Sequence, residues 1–457
     1  MGLKNNILRI FSANFLSLIS GILIGFILPI ILPIDQYAYL KTYTFYISYI
    51  GILHFGFVDG MYIKYGGKNL IDLDREKVKL EHIIFTIFQS FITIICLIIA
   101  IAKNDIIMIL FSISIIPMNT ISFFSLIYQS VGDFKKYTKI SYIYTSLFLL
   151  LNIILMIFNI KNYLLYCMVS IFANIIVFIY LELKFFYDYK DVKFKYDSNV
   201  FNNFKVGIFI LVGNMSVMMF YAVDRWFIKL FYTVEDFAYY SFAISMLNII
   251  NVLVSSISVT LYNYLSRDKN IDKIKKLKIY FIILGVFSNL AYFVLAFIIN
   301  IALTKYLPSL NIISISFASY PYMMVINALY LNLYKIEKDE KRYLKIVLIM
   351  VIISIIYNTI AMIISKNPIS IAFATTLSFI TWYFYSIRDF KYLKSSRKEK
   401  IYLSINLLSF LIFANFFDIL IGGSLYFIIF IISTYIIFKN EVSEEIKILL
   451  NNKHNIK

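Results

Sequence analysis

The chain is poor in the residues that perform covalent and metal chemistry. Of 457 residues, 2 are cysteine and 3 are histidine. Cys96 and Cys167 each lie inside an apolar run, which reads as core packing and not as a disulfide or metal pair. His54, His82 and His454 are too scattered for their spacing to suggest a metal site. CxxC, HExxH, GxSxG and Walker A patterns are all absent. No catalytic residue, cofactor or metal is therefore expected. Charge is scarce too: only 15% of residues are charged, which excludes an ordinary soluble domain.

Apolar side chains take up the difference, with 61% of the chain hydrophobic and a mean hydropathy of +0.81. A helix crossing a bilayer needs ~20 mostly apolar residues, and such runs recur from end to end. Backbone groups in hydrocarbon must bond internally, so spans are helices or closed barrels. These runs are continuous and lack the two-residue alternation of barrel strands, so the fold class is all-α and polytopic. The first run, ILRIFSANFLSLISGILIGFILPIIL, reads as a span and not as a cleaved leader. It is too long, has no small-residue cleavage site and is followed by further spans.

About fourteen candidate spans can be counted. They begin near Ile7, Tyr37, Ile83, Ile106, Ser141, Tyr163, Val206, Ala238, Ile279, Ile312, Leu344, Ile369, Ile401 and Ser424. The net charge of +17 is placed accordingly. Lysine and arginine resist translocation and stay in the cytoplasm. All but seven of the 43 fall at the two ends and in the even-numbered connections; the exceptions are Lys41, Lys103, Lys161, Arg225, Lys229, Lys305 and Lys366. Both termini are thus expected in the cytoplasm. The basic charge is a topology signal, with membrane lipids as its partner and no need of nucleic acid. No outer connection is long enough for a soluble domain.

The chain repeats itself. At an offset of 200, Ala13-Asn14 falls on Gly213-Asn214, Ile34-Asp35 on Val234-Glu235, Ala38-Tyr39 on Ala238-Tyr239, and Ser48 on Asn248. Further on, DFKKYTKI (133–140) matches DEKRYLKI (339–346) at an offset of 206, and Pro117 matches Pro321 at 204. Small loop insertions would explain the drift. Spans one to six therefore recur as seven to twelve with the same orientation. This is a parallel repeat, and in transporters such repeats place the substrate between halves that rock. The expected organisation is an N-terminal six-helix half (1–200), a C-terminal six-helix half (201–395) and two additional helices with a tail (396–457). The repeated PIDQYAYL/TVEDFAYY stretch marks a tight helix hairpin. Pro33 ends the first helix, Asp35 supplies a cap for the next, and Thr233 and Asp236 have capping-box spacing.

Polar side chains inside four of these spans are the candidate substrate-binding groups. Lys41, Thr44, Ser48 and Gly51 share one face of the second span; Ser241, Ser245, Asn248, Asn251, Ser255 and Ser258 share one face of the eighth. Asn14 lies on the first span; Asn214, Met218, Tyr221, Arg225 and then Lys229 follow one face of the seventh. At the repeat offset Arg225 replaces Gly25, so the second copy adds a cation, with Asp224 beside it. Two readings stand. Ionisable groups within a membrane usually face a cavity or a partner, which makes Arg225, Lys41 and Lys229 ligands for an anion. Alternatively the small and polar stripes join helices, the cations reach the headgroups, and Asp224 and Arg225 form a structural pair. Asp224 is also a candidate coupling-ion or ion-pair group, as are His54 and Asp59 at the inner end of the second span, where the alternative is an interfacial cap.

The stretch AVDRWFIKLFYTVEDFAYYSFA (222–243) resembles the hairpin between spans seven and eight of polysaccharide-type transporters in the multidrug/oligosaccharidyl-lipid/polysaccharide (MOP) superfamily. LHFGFVDGMYIKYGG (53–67) resembles their segment leaving span two, and YQSVGDFKKYTKI (128–140) their link between spans four and five. The resemblance extends through about residue 390. Ala38 and Ala238 stand where the family usually has glycine in the acidic turn. The resemblance implies a Wzx-type flippase in the bacterial cytoplasmic membrane. Such a protein moves undecaprenyl-pyrophosphate-linked oligosaccharide for O-antigen, capsule or exopolysaccharide assembly and works beside the polysaccharide polymerase machinery. Arginine suits bidentate contact with pyrophosphate; asparagine, serine and tyrosine suit sugar hydroxyls. The rivals are a lipid II flippase relative, a cation-coupled multidrug exporter wanting acidic cavity groups, and a membrane polymerase or glycosyltransferase. The enzyme would be expected to show a large outer loop or an acidic pair in the first outer connection, which here holds only Asp35.

Overall fold

Hydrogen bonding decides the architecture before packing does. In a computed structural model of the chain, which describes residues 3–267, 270–337, 339–439 and 441, the described residues form helices and no strand. The helices are α1 (Leu3–Ile31), α2 (Ile34–Ile47), α3 (Phe57–Tyr65), α4 (Arg75–Ala102), α5 (Ile106–Ser130), α6 (Phe134–Ile157), α7 (Tyr163–Tyr189) and α8 (Asn202–Phe220). They continue as α9 (Val223–Phe231), α10 (Val234–Arg267), α11 (Ile271–Ser288), α12 (Leu290–Ala302), α13 (Leu310–Phe317), α14 (Tyr320–Val325) and α15 (Leu331–Ile336). The last four are α16 (Glu340–Ile364), α17 (Pro368–Ser386), α18 (Arg397–Phe416) and α19 (Ile419–Ile437). Each of the fourteen expected starts falls within or at the first residue of a helix.

Among the described residues, 10 helical stretches can cross a membrane by length and apolarity, or 11 if the bent pair 304–317 and 320–336 is one span. The second, eighth and twelfth expected spans are not among them. The second is broken: α2 ends at Ile47, and a 3-10 turn over Ile50–His54 separates it from α3. Large apolar side chains such as Ile87, Phe91, Ile94 and Ile98 recur at helical spacing on an exposed face of α4. Such a face is costly in water and natural against lipid.

The helix starts are set by short polar side chains. The Asp74 carboxylate accepts from the amides of Glu76 and Lys77, Asp105 from Met108, Asn162 from Leu164, Asn367 from Ile369 and Ser396 from Glu399. The repeated DFKKYTKI/DEKRYLKI motif is the same device used twice. Asp133 caps α6 through the Lys136 amide at 3.2 Å, and Asp339 caps α16 through the Arg342 amide at 3.1 Å. Thr233 and Asp236 form a complete reciprocal capping box, with Asp236 N–H donating to Thr233 Oγ1 at 3.1 Å and Thr233 N–H to Asp236 Oδ2 at 3.2 Å. Asp35 does not cap α2. Pro33 occupies the capping position without a side-chain bond, and Asp35 sits in the first turn, accepting from Gln36 at 3.0 Å.

The chain divides into two compact units, 1–218 and 219–457. In the first, the core gathers Phe57, Phe85, Phe123 and Phe124 with Val177 and Leu181. Its tightest crossing is between α3 and α8. Gly56 and Gly60, a G-x-x-x-G pair, face Gly207 so closely that a β-carbon on Gly207 would stand 1.8 Å from the Gly56 carbonyl oxygen. Beside this crossing the buried Glu81 accepts from Lys64 Nζ at 2.6 Å, Tyr65 Oη at 2.5 Å and Asn203 Nδ2 at 2.8 Å.

Helix pairing recurs between the units. In the first, α2 and α4 pack on α5, and α5 and α6 on α7. In the second, α10 packs on α13, α11 on α14, and α13, α14 and α16 on α17. α18 and α19 pair with each other and lie against α11–α13. The offset drift is a loop effect only in its first step, from 200 where α4 and α12 end to 204 where α5 and α13 start. α5 and α13 start at an offset of 204, and α5 and α15 end at an offset of 206. The extra length is inside the tenth expected span, where a π-helical turn runs over Ile326–Tyr330.

Candidate functional site

In the 219–457 unit the bends in two helical stretches meet. α8 and α9 are separated by a turn at Tyr221–Ala222, and α13–α15 is interrupted twice. Tyr221 Oη donates to Asn327 Oδ1 at 2.5 Å, tying the first bend to the π-helical turn. Between them and α10 and α17 is a cavity of ≈ 460 Å³. Its polar lining includes Arg225, Asn248, Asn251, Asn327, Lys335 and Thr375, and its apolar lining includes Met323 and Phe379.

Asp224 and Arg225 are adjacent in sequence and differ in role. Asp224 is buried, 3% exposed. One carboxylate oxygen accepts the Arg225 amide at 2.7 Å and the other accepts Tyr240 Oη at 2.8 Å. It sits in the first turn of α9 and holds that helix to α10, with an acceptor bond on each oxygen. Arg225 is half-buried; its Nη2 donates to the Tyr221 carbonyl at 3.4 Å, and its side chain lines the cavity. With Lys335 it gives the cavity two cationic side chains.

The expected binding residues divide. Asn248 and Asn251 line this cavity with Arg225, and Asn251 Nδ2 donates to Asn248 Oδ1 at 3.4 Å. The side chains of Ser255 and Ser258 lie outside the described ones. Lys229 is not part of the lining; its ammonium lies 5.2 Å from the centroid of the Phe237 ring. Lys41 lies 5.2 Å from the centroid of Tyr37, the residue that matches Phe237 in the repeat. Equivalent rings thus receive a cation from different helices. Ser48 donates to the Phe45 carbonyl at 2.6 Å, while Asn14 and Asn214 are exposed on α1 and α8. His54 Nδ1 accepts the Gly56 amide at 3.2 Å, so that nitrogen carries no proton there, and Asp59 Oδ2 is 3.7 Å away. Both cysteine thiols are free, and His454 lies outside the described residues.

Sequence reasoning missed Asn327, Lys335 and the pair Thr375 and Thr376. Asn327 was the readable one, an amide in the apolar run after Pro321. Its approach to Tyr221 depends on the π-helical turn, which no periodicity reveals.

No family model matches the chain, and no curated protein matches it significantly. Solved structures do. The chain matches a lipid II flippase MurJ in an inward closed conformation with a TM-score of 0.67 and 15% identity, over 96% of this chain and 99% of that one. It matches an inward-facing multidrug resistance MATE family transporter of the MOP superfamily with a TM-score of 0.56 and 12% identity, over 84% and 96%. The chain has the polytopic, all-helical fold of these membrane transporters.

Proposed function

We propose that this protein is a Wzx-type flippase that moves undecaprenyl-pyrophosphate-linked oligosaccharide across the bacterial cytoplasmic membrane for O-antigen, capsule or exopolysaccharide assembly. The observation that carries this reading is the cavity chemistry. Arg225 and Lys335 suit a pyrophosphate, and Asn248, Asn251, Asn327 and Ser319 suit sugar hydroxyls. Lys41, Lys229, Asn14, Asn214 and Ser48 would serve the cargo along its path. The rocking bodies in this reading are the repeats, 1–200 and 201–395, with 396–457 appended. The polymerase that uses the delivered units is the natural partner.

A lipid II flippase is the second reading. The match to such a protein supports it, and its cargo has the same polyprenyl-pyrophosphate head. A cation-coupled drug exporter is disfavoured, because Asp224, the acid of this cavity, already accepts on both oxygens. The test is gene deletion with extraction of prenyl-linked sugars. Complete units held on the cytoplasmic leaflet, with loss of surface polymer, are expected, and Arg225→Ala at matched expression should cut transport at least tenfold. Truncated glycans, or complete ones stranded outside, would point to an enzyme. An unchanged lipid pool and polymer would mean another cargo.

A further inference from the structure

The cationic cavity has a neighbour of opposite character. A groove of ≈ 630 Å³ runs between α13, α16 and α17, lined by Ile315, Ile360, Ala361, Ile364, Phe373 and Leu377 among others. Its polar residues have their hydrogen bonds met within the protein. Ser370 Oγ donates to the Asn367 and Ser365 carbonyls at 2.7 and 3.0 Å, Asn367 Oδ1 accepts the Ile369 amide at 2.9 Å, and Tyr357 Oη meets Thr381 Oγ1 at 3.3 Å. Ile360, Ile364, Phe373 and Leu377 are exposed, so the groove opens on the face that meets lipid.

Cavity and groove are two sides of one wall. On α13, Ile315 lines the groove and Ser316 the cavity; on α17, Ala374 and Leu377 line the groove, Thr375 and Thr376 the cavity. The wall is pinned at one point, where Thr376 Oγ1 donates to the Ile315 carbonyl at 2.9 Å. Consecutive residues thus present a charged, hydroxyl-binding pocket on one side and hydrocarbon on the other. An amphiphile with an anionic sugar head and a long apolar chain matches both. A free sugar phosphate matches only the first, and a cationic drug is repelled by it.

We infer that the groove holds the proximal prenyl chain of the cargo whose pyrophosphate head occupies the cavity, an assignment that rests on the flippase reading. The chain would leave the head over the Ile315/Thr376 wall and lie along α16 and α17, its far end in the bilayer.

Full-length protein in proteoliposomes can be irradiated with a diazirine-tagged polyprenyl pyrophosphate, and in parallel with a diazirine-tagged phosphatidylglycerol. The prenyl probe is expected to label residues 360–364 and 373–377, and excess untagged polyprenyl pyrophosphate to lower that label at least tenfold while leaving the phosphatidylglycerol label unchanged. Ala361→Phe should fill the groove and abolish the competed label. Should that variant fail to fold, a farnesyl pyrophosphate probe tagged at its end reads the same groove in the wild type. Label elsewhere, or equal competition of both probes, overturns the inference while leaving the cavity reading intact. If neither prenyl probe binds in a manner sensitive to Arg225→Ala, the flippase reading fails first and the groove assignment falls with it.

Discussion

Gly207→Ala is the most informative single substitution. The added β-carbon would lie 1.8 Å from the Gly56 carbonyl oxygen and 2.5 Å from the Gly60 amide nitrogen. Both are backbone atoms, so no side-chain rotation can relieve the clash. To recover even a tight contact near 3.4 Å, α8 must withdraw from α3 by about 1.5 Å. Overpacking of this kind costs about 1–3 kcal/mol. The same withdrawal pulls Asn203 from Glu81, a 2.8 Å bond to a carboxylate that is 1% exposed. Losing a hydrogen bond to a charged group adds about 1.5–3 kcal/mol. Gly213→Ala, on the same helix, is the control. Nothing lies within 4 Å of its β-carbon position, and alanine favours a helix over glycine by about 1 kcal/mol. Thermal unfolding of purified protein in detergent, followed by fluorescence-detected size exclusion, should show Gly207→Ala melting about 5 °C or more below wild type, and Gly213→Ala at or above it. Equal melting of the two variants would refute the close-crossing argument.

Two further outcomes follow from buried charge. Lys278 is 2% exposed and donates to Glu399 at 2.7 Å, the Leu393 carbonyl at 2.8 Å and Ser395 at 3.0 Å. Lys278→Met strands Glu399 and should cost about 3–5 kcal/mol, whereas adding Glu399→Leu should restore part of the loss; melting temperatures of the single and double variants check this. Asp224→Asn should lower the melting temperature, because the Tyr240 contact weakens, yet keep transport within about twofold at matched expression; complete loss of transport with normal stability would make Asp224 a coupling group after all.

The sequence was most legible where one physical demand dominates. Lipid requires long apolar helices, so fourteen helical starts were readable in order, though not the breaks within them. Orphan amides require caps, so Thr233 and Asp236 could be placed before any coordinates, while Asp133 and Asp339 were seen only as a repeat. Where two demands compete, the reading failed. Asp35 has capping chemistry, but Pro33 holds the position. The G-x-x-x-G pair of Gly56 and Gly60 stood in a quoted stretch, but its partner Gly207 is remote in sequence. Arg225, Asn248 and Asn251 were found from helical spacing, which reports one face of one helix. Asn327 and Lys335 were not, because their approach depends on how another helix is broken.

That break bears on how two copies of one plan come to differ. From proline to capping aspartate is 16 positions in the first copy, Pro117 to Asp133, and 18 in the second, Pro321 to Asp339. The following turns are of equal length, so the surplus is held within the helix, where the π-helical turn takes it up. A residue gained in a regular helix would swing everything beyond it by about 100°; a π-helical turn confines the change of phase to the turn itself. Divergence here is thus a change of phase as well as of letters. The first copy keeps α5 as one continuous helix with Asn119 buried against Gln89, while the second carries a different amide, Asn327, on its π-helical turn, where it meets Tyr221. An alignment that scores substitutions alone would pass over the change that separates a packing helix from one that lines a cavity.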